Sequence, residues 1–273
     1  MNKAKLTFIG AGNMASSIIG GLVRMDYPPH LITATDPYQP SLDRVAADFG
    51  INTSNDNGAA VAEADIVVLA VKPQVLKQVC CDLQPHLGHR PLVISIAAGI
   101  DSSSLDRWLA NDLAIVRCMP NTPALVQTGA SGLFANPRTS ESQRQRADEI
   151  LCAVGVVRWL EDESLIDSVT ALSGSGPAYF FLFMEAMIAA GMEQGLDPDT
   201  ATQLTLQTAL GAAKLALNSD VDVAELRRRV TSPKGTTEQA VLSFERDDLR
   251  SVVARAMQAC AERSREMSSE LGA

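Results

Sequence analysis

Closely spaced glycines near the amino terminus could hold the phosphates of a nucleotide. Residues 10–15, GAGNMA, follow the apolar run Leu6–Ile9 and precede a helical pattern. Small residues suit this place because Gly10 allows a sharp turn, Gly12 lets the backbone approach a pyrophosphate, and Ala15 lets the helix pack on the strand. The amino end of that helix would direct its free amides at the phosphates. The pattern predicts a bound dinucleotide, with a plain strand-to-helix turn as the alternative.

Asp36 ends the next apolar run, 21 residues after Ala15. A carboxylate at that place can accept hydrogen bonds from the adenosine ribose and would repel a 2′-phosphate, which favours NAD. The pair Asp36-Pro37 is also an ordinary turn signal, and that alternative stays open. The nearest cation is Arg44, one or two helical turns further along. The sequence therefore leaves the choice between NADH and NADPH undecided.

Three further loops follow apolar runs, at positions where an open α/β sheet binds its ligands. The loops at 70–74 and 95–99 are rich in small residues, as a flat nicotinamide or ribose packing on the backbone requires. The third loop, Arg117–Pro123, has prolines on both sides of Asn121 and Thr122. Because each proline fixes its own φ, this loop is expected to be stiff.

Two stretches rich in hydroxyls and glycines, both in the second half of the chain, could bind an anion. Residues 170–176, TALSGSG, precede an apolar helix, and residues 231–237, TSPKGTT, precede another helix. A helix amino terminus of this composition binds a carboxylate or phosphate without a fixed positive charge. Plain N-capping is the alternative for either stretch alone. Their joint presence behind a dinucleotide fold predicts a substrate site.

The sequence offers few candidate residues for metal-dependent, His–Asp or Ser–His catalysis. The three histidines and five cysteines show no metal-ligand spacing, so no metal site is expected. The sequence offers no suitable histidine for a His–Asp dehydrogenase pair and no Ser–His hydrolase arrangement. These residues suit a substrate that accepts hydride with little acid–base catalysis, and a protonated imine is such an acceptor.

The elements that must position these residues alternate over the first 163 residues. Continuous β-branched runs such as DIVVLAV and PLVISIA are typical of strands covered on both faces. The intervening segments have helical spacing, as in Ser41–Phe49. This alternation predicts a doubly wound, Rossmann-type α/β domain over residues 1–163. Strands are expected at Leu6–Ile9, Leu31–Thr35, Ile66–Ala70, Leu92–Ile96, Ile115–Cys118, Gly132–Phe134 and Val154–Leu160.

Long helices replace these runs in residues 164–273, which are predicted to form an all-helical domain. The stretch PAYFFLFMEAMIAAGMEQG, from Pro177, is apolar around most of its circumference and is expected to be buried on nearly all sides. Further helices are expected from Asp197 and over Asp248–Met267. So much apolar surface for this length indicates a subunit interface, with a monomeric bundle as the alternative.

Composition and charge restrict the partners and the compartment. Hydrophobic residues make up 46% of the 273 residues, enough for a sizeable core. The net charge of −9 argues against a nucleic-acid or anionic-membrane surface, because both need clustered Lys and Arg. No segment is typical of a secretory signal or a membrane span, and the cysteines suit a reducing compartment. A cytoplasmic protein is therefore expected.

Six motifs together, in this order, resemble those of the pyrroline-5-carboxylate reductase family. They are FIGAGNMASSIIGGL, AVKP, SIAAG, RCMPNTPALV, LSGSGPAY and SPKGTTEQA, and they extend over nearly the whole chain. The resemblance implies reduction of Δ1-pyrroline-5-carboxylate to L-proline by NADPH or NADH, the last step of proline biosynthesis. It also implies a Rossmann domain followed by a helical domain that interlocks with a partner subunit, in homodimers that often assemble into decamers.

The resemblance also implies roles for particular residues. Thr170 matches a threonine proposed to lie near the ring nitrogen of the substrate, which makes it the candidate catalytic residue. Ser232, Gly235, Thr236 and Thr237 match the turn that grips the substrate carboxylate. The cofactor-binding candidates are Ile9, Gly10, Ala11, Gly12, Asn13 and Met14 at the pyrophosphate, Asn57 near the adenosine ribose, Val71, Lys72, Pro73, Ala97 and Ala98 beside the nicotinamide half, and Ala70 and Asp36 from the arguments above.

This chain departs from the family pattern at two positions. The usual substrate turn is Ser-Pro-Gly-Gly, whereas Lys234 replaces the first of these glycines. A lysine is costly there if the position needs a positive φ, and otherwise its charge can lie near the carboxylate. Many members accept NADPH through small hydroxyl residues where this chain has Asp36, so a preference for NADPH does not carry over.

Two other interpretations stay open from the sequence. β-Hydroxyacid dehydrogenases share the layout, but they use a helix lysine as acid–base shortly after a glycine-rich turn, and GSGPAYFFLFMEA contains no lysine. A nucleotide-binding regulator that senses NAD(P) without turnover would keep the opening glycines but would have no need of the SPKGTT turn.

Overall fold

The computed structural model of the protein describes residues 3–110 and 112–272. Their strands are β1 (Leu6–Ile9), β2 (Ile32–Thr35), β3 (Asn52–Ser54), β4 (Ile66–Leu69), β5 (Leu92–Ser95), β6 (Ile115–Met119), β7 (Gly129–Ala135) and β8 (Gly155–Trp159). Their α-helices are α1 (Asn13–Arg24), α2 (Gln39–Phe49), α3 (Asn57–Val61), α4 (Pro73–Leu83), α5 (Ser102–Leu109), α6 (Glu141–Cys152), α7 (Leu165–Val169), α8 (Gly176–Glu193), α9 (Pro198–Leu217), α10 (Val223–Arg229), α11 (Thr236–Arg246) and α12 (Leu249–Leu271).

The strands form one sheet in the order β3-β2-β1-β4-β5-β6-β7-β8. Neighbours from β3 to β6 are parallel, β7 runs antiparallel to β6, and β8 is parallel to β7. The strand order reverses beside β1, which pairs with β2 on one side and β4 on the other. Ligands of doubly wound sheets bind at such a switch point, outside the carboxyl ends of the strands. The predicted Rossmann-type fold is confirmed.

Alternating side chains of β1 fill the two faces of the sheet. Phe8 belongs to a core cluster with Ile18 of α1, whereas Ile9 belongs to the cluster on the other face with Leu76 of α4. All four side chains are essentially inaccessible to solvent. Helices therefore cover both faces, which is why the central strands β4 and β5 are almost continuous apolar runs.

The sheet differs from the prediction at the edge strand β3 and at β7, which is next to the other edge. β3 was not predicted, because its three residues, Asn52–Ser54, are polar and at least partly exposed at the edge. The predicted strand Gly132–Phe134 is the middle of the longer β7. At the other predicted strands the observed bounds differ by at most a few residues.

The chain divides into two compact units, Met1–Ser175 with Ala259–Ala273, and Gly176–Gln258. The predicted domain boundary between residues 163 and 164 stays a prediction, since compactness divides the chain after Ser175 instead. The segment after residue 163 packs on the sheet of the first unit: a Cβ added to Gly132 of β7 would lie 2.7 Å from a methyl carbon of Val169. In the second unit, the Phe183 and Phe244 rings lie 6.0 Å apart.

The apolar helix that was expected to be buried is exposed in the single chain. Phe180, Phe181 and Leu182 of α8 each keep more than 60% of their surface accessible. The continuous helix Leu165–Glu193 is also long and apolar enough to cross a membrane by length and composition, with 6% of the tested window buried. Helices of non-membrane proteins pass the same test, so this finding is weak evidence for a membrane span. The prediction of no membrane span stays a prediction.

Candidate functional site

The glycine turn after β1 is held between the ends of two neighbouring strands. The Gly10 amide donates to the Thr35 carbonyl of β2 at 2.8 Å. A Cβ at Gly10 would lie 2.7 Å from the Ala70 carbonyl oxygen that follows β4, and the φ of Gly10 is +104°. Both the close approach and the backbone angle require glycine at this position.

The next glycine leaves room where a phosphate would approach. Gly12 is the N-cap of α1, where no side chain caps the amides of the first turn. A Cβ at Gly12 would meet no atom of the described residues within 4 Å. The amides of Asn13 and Met14 lack intrahelical partners, as at any helix start. An uncapped helix end beside an open glycine therefore fits the pyrophosphate of a dinucleotide.

A carboxylate and a guanidinium both bind Ala11 in the middle of this turn. Asp36 accepts hydrogen bonds from the Ala11 amide and from the Tyr38 amide, each at 2.9 Å. Arg44 Nη2 donates to the Ala11 carbonyl at 3.2 Å. In the sequence Arg44 lies one or two helical turns beyond Asp36, but in the structure its side chain reaches the same turn, at Ala11. Sequence spacing places Arg44 on α2 but says nothing about where its long side chain ends.

The remaining cofactor candidates follow the carboxyl ends of parallel strands and so share one edge of the sheet. Lys72 is the exposed N-cap of α4, and Pro73 opens that helix after β4. Ala97 is buried after β5, and its amide donates to Ser95 Oγ at 3.4 Å. Asn57 begins α3 after β3. Candidates brought to this edge also include Ile9, Ala70, Val71 and Ala98.

Cys118 of β6 precedes the proline-rich loop at this same edge. The thiol is buried, and burial raises its pKa to about 12. It therefore stays protonated at neutral pH and does not act as a nucleophile. Of the other cysteines, Cys80 is buried, whereas Cys81 and Cys152 are exposed, so the cysteines are not uniformly core residues.

The stretch 170–176 directly precedes α8, as predicted, but the expectation that it forms a free helix amino end is wrong. The helix continues through it, and residues Thr170–Gly174 widen into a π-helical turn in which the Ser175 amide donates to the Thr170 carbonyl at 2.8 Å. Gly174 serves packing here, because a Cβ would lie 2.5 Å from Met119 Cε. No free helix end is therefore available for an anion at this stretch.

The Thr170 hydroxyl lies half-buried in the π-helical turn. Its Oγ1 donates to the Ile166 carbonyl at 2.8 Å. A carbonyl oxygen can only accept, so the hydroxyl proton is committed to that bond. What Thr170 presents to a ligand is therefore an oxygen with lone pairs, an acceptor and not a proton donor.

The stretch 231–237, in the second unit, does form the predicted helix start. Gly235 is the N-cap of α11, and no side chain caps the amides of the first turn. The Gly235 amide donates to the Ser232 carbonyl at 3.0 Å, and a Cβ at Gly235 would lie 2.9 Å from that oxygen. Thr236 and Thr237 are exposed at the first two positions of the helix. Amides and two hydroxyls thus meet at one end, as a carboxylate requires.

Lys234 has a left-handed backbone, with φ at +59°. The position therefore needs the positive φ that glycine provides at no cost. The Lys234 amide donates to Glu238 Oε2 at 2.8 Å, so the first turn of α11 holds this backbone in place. The departure from the usual glycine is accordingly a strained one.

Comparison with known proteins gives consistent results over the whole chain. The family model described as "Pyrroline-5-carboxylate reductase dimerisation" matches residues 163–267, and that described as "NADP oxidoreductase coenzyme F420-dependent" matches residues 5–99. The chain is 53% identical to the pyrroline-5-carboxylate reductase of Pseudomonas aeruginosa over 272 residues, with 100% of each chain covered.

Two solved structures are similar over nearly their full length. A pyrroline-5-carboxylate reductase from Coxiella burnetii is 45% identical, with a TM-score of 0.94, and the match covers 98% of this chain and 99% of that chain. The pyrroline carboxylate reductase of Plasmodium falciparum with NADP bound is 30% identical, with a TM-score of 0.86 and the same coverage.

Proposed function

The chain belongs to the pyrroline-5-carboxylate reductase family, and from that premise we propose how its own residues divide the work of the reaction. The protein is an oxidoreductase that reduces the C=N bond of Δ1-pyrroline-5-carboxylate to L-proline with NAD(P)H, the last step of proline biosynthesis. Bound NAD(P)H supplies the hydride. The protein has to hold the dinucleotide, hold the carboxylate of the substrate and orient its imine.

The dinucleotide is assigned to the glycine turn and the strand-end loops of the first unit. The pyrophosphate would accept hydrogen bonds from the amides of Asn13 and Met14, in the open space beside Gly12. The support for this assignment is the uncapped start of α1 and the absence of any described atom within 4 Å of a Cβ at Gly12. The nicotinamide half would lie along Val71–Pro73 and Ala97–Ala98, and Asn57 near the adenosine ribose.

Two residues at the proposed adenosine end of the dinucleotide site, Asp36 and Arg44, bear on the choice between NADH and NADPH. The Asp36 carboxylate is engaged by the amides of Ala11 and Tyr38, which offsets part of its negative charge. Arg44, bound to the same turn, supplies a guanidinium that suits a 2′-phosphate. We therefore propose that the protein uses NADPH as well as NADH, with Arg44 as the partner of the 2′-phosphate.

The observation that carries the substrate assignment is the uncapped amino end of α11. Ser232, Gly235, Thr236 and Thr237 surround it, and the helix dipole favours an anion there. A substrate with one carboxylate next to a reducible ring suits this end better than a diphosphate, which would need several cations.

Thr170 is proposed to orient the imine as a hydrogen-bond acceptor. A protonated imine carries an N–H that can donate to Thr170 Oγ1, whose own proton is committed to Ile166. When hydride adds to the imine carbon, the electrons of the C=N π bond move to the nitrogen, which becomes a neutral amine. The proton is already on the nitrogen, so the step needs no acid from the protein.

The exposed apolar helices are proposed to be covered by a second copy of the chain. Phe181, Met184, Ile188 and Leu206 line an open apolar groove on α8 and α9. Exposed apolar area of this extent marks an interaction surface. A homodimer through these helices is the first assembly step, and a decamer of five dimers is a further proposal; a cytoplasmic location stays a prediction.

Purified protein with Δ1-pyrroline-5-carboxylate tests the function through the absorbance of NADH or NADPH, with L-proline measured as product. Oxidation of neither cofactor would contradict the assignment. For the cofactor proposal, Arg44→Ala should raise KM for NADPH about tenfold, because a hydrogen bond to a charged group is lost, and leave KM for NADH unchanged. An equal rise in KM for both cofactors would mean that Arg44 supports only the structure of the turn.

A further inference from the structure

A buried asparagine in the loop after β6 joins the sheet to the π-helical turn. Asn121 is 8% exposed and lies between Pro120 and Pro123. Its Oδ1 accepts from the Ala130 amide of β7 at 2.9 Å, and its Nδ2 donates to the Ser173 carbonyl at 3.0 Å. One side-chain amide thus makes one bond to a strand and one bond to the turn.

The Ser173 carbonyl belongs to the same five-residue turn as Thr170. A π-helical turn is a rare, wider turn that is frequent at functional sites and needs specific support. The bond from the Ser175 amide to the Thr170 carbonyl closes the turn, and Asn121 holds it from outside the helix through Ser173. Met119, two residues before Asn121, packs on Gly174 of this turn.

The proline-rich loop is well suited to act as a fixed support. Prolines restrict the backbone on both sides of Asn121, and the bond from Ala130 fixes the orientation of its amide. A buried side chain with both polar ends engaged has little freedom to adjust. Movement of Ser173 relative to β7 would therefore break the bond from Asn121 Nδ2 to the Ser173 carbonyl.

We infer that Asn121 is a positioning residue for Thr170: it fixes the register of the π-helical turn, so that the Thr170 oxygen presents its lone pairs to the imine nitrogen. This inference rests on the proposed role of Thr170. Asn121 itself does not need to touch the substrate, since it acts through the main chain of Ser173.

Asn121→Asp tests this bond selectively. The aspartate keeps an oxygen for the Ala130 amide but replaces the donor to Ser173 with an acceptor. Asn136→Asp is the matched control, because Asn136 is 5% exposed and also joins two main-chain groups. Its Oδ1 accepts from the Ile115 amide at 3.1 Å, and its Nδ2 donates to the Leu113 carbonyl at 3.0 Å, at the opposite ends of β6 and β7.

Asn121→Asp should lower kcat about tenfold with KM for NADPH unchanged, since a displacement of the acceptor misorients the imine. Asn136→Asp should lower the melting temperature similarly but leave kcat unchanged. Combined with Thr170→Val, which removes the acceptor, Asn121→Asp should cause no additional loss of kcat. Equal kcat for the two aspartate variants, or independent losses in the double variant, would overturn the inference.

Hydrogen exchange keeps this test separate from the proposed function. The Ser175 amide, which closes the π-helical turn, should exchange faster in Asn121→Asp than in the Asn136→Asp control, whether or not the protein turns over the substrate. Unchanged exchange would overturn the inference even if the wild type is active. Asn121→Ser, which stays neutral, should give the same two results if the aspartate variant does not fold.

Discussion

Replacing Lys234 by glycine should stabilise the protein while weakening substrate binding. A residue with a Cβ in the left-handed region costs about 1–2 kcal/mol. Glycine removes that strain but adds about 0.4–1 kcal/mol of entropy to the unfolded chain. The net gain is about 0.5–1 kcal/mol, or about 2 °C in the melting temperature of a chain of this size. The hydrogen bond to the Glu238 carboxylate is retained, because residue 234 contributes only its main-chain amide to it.

Lys234→Met separates strain from charge, since methionine has a similar length, no charge and the same Cβ. Thermal unfolding followed by circular dichroism should show a higher melting temperature for Lys234→Gly and no gain for Lys234→Met. Both variants should raise KM for the substrate by about two- to fivefold if the exposed ammonium attracts the carboxylate, as expected for a surface charge pair. A glycine variant that melts at or below the wild-type temperature would refute the strain argument.

Four other predictions address the substrate turn, the interface, a buried ion pair and an exposed one. Thr237→Val should raise KM for pyrroline-5-carboxylate about tenfold with little change in cofactor affinity, and unchanged kinetics would refute the contact to the carboxylate. Phe181→Asp should weaken the dimer about 10³-fold in light scattering, because each of two copies loses about 2 kcal/mol of burial; a stable dimer would exclude this face. Glu163→Ala should cost about 3–5 kcal/mol in chemical denaturation, because Arg117, with a side chain 7% exposed, loses its 2.8 Å partner, and a smaller loss would mean that water reaches the arginine. Hydrogen bonds from neighbouring arginines lower the pKa of Glu225 from 4.5 to about 2, so its stabilising effect is complete above pH 4.5 and is lost towards pH 2; Glu225→Gln should flatten the stability profile in that range.

The glycine turn could be predicted from the sequence because its geometry is dictated locally. The positive φ of Gly10 and the open space at Gly12 suit the sharp strand-to-helix turn that the glycine pattern predicts. Arg44 could not be placed in the same way. Its Cα position follows from the helical pattern of α2, but its contact with Ala11 depends on how α2 packs and on a long flexible side chain.

The stretch 170–176 shows why local composition can mislead. Hydroxyls and glycines favour a helix cap, yet the same residues here continue the helix through a π-helical turn. Residues distant in the sequence determine the structure of this stretch, since Met119 packs on Gly174 and Asn121 binds Ser173. The apolar helix is exposed in the single chain for a related reason, because the partner surface proposed to cover it is not part of one chain.

The π-helical turn and the hydrogen bond that occupies the Thr170 hydroxyl proton both support the proposal that Thr170 orients the imine and does not transfer a proton. Reduction of a protonated imine makes the nitrogen less positive as hydride arrives, so a strong acceptor would stabilise the starting iminium more than the transition state. A neutral threonine oxygen is a weak acceptor, which orients the N–H without holding the charge. A carboxylate at the same place would bind the iminium more tightly and slow the step. The weakness of Thr170 as an acid or base therefore suits its proposed role, in which its accurate placement by the π-helical turn matters more than its acidity.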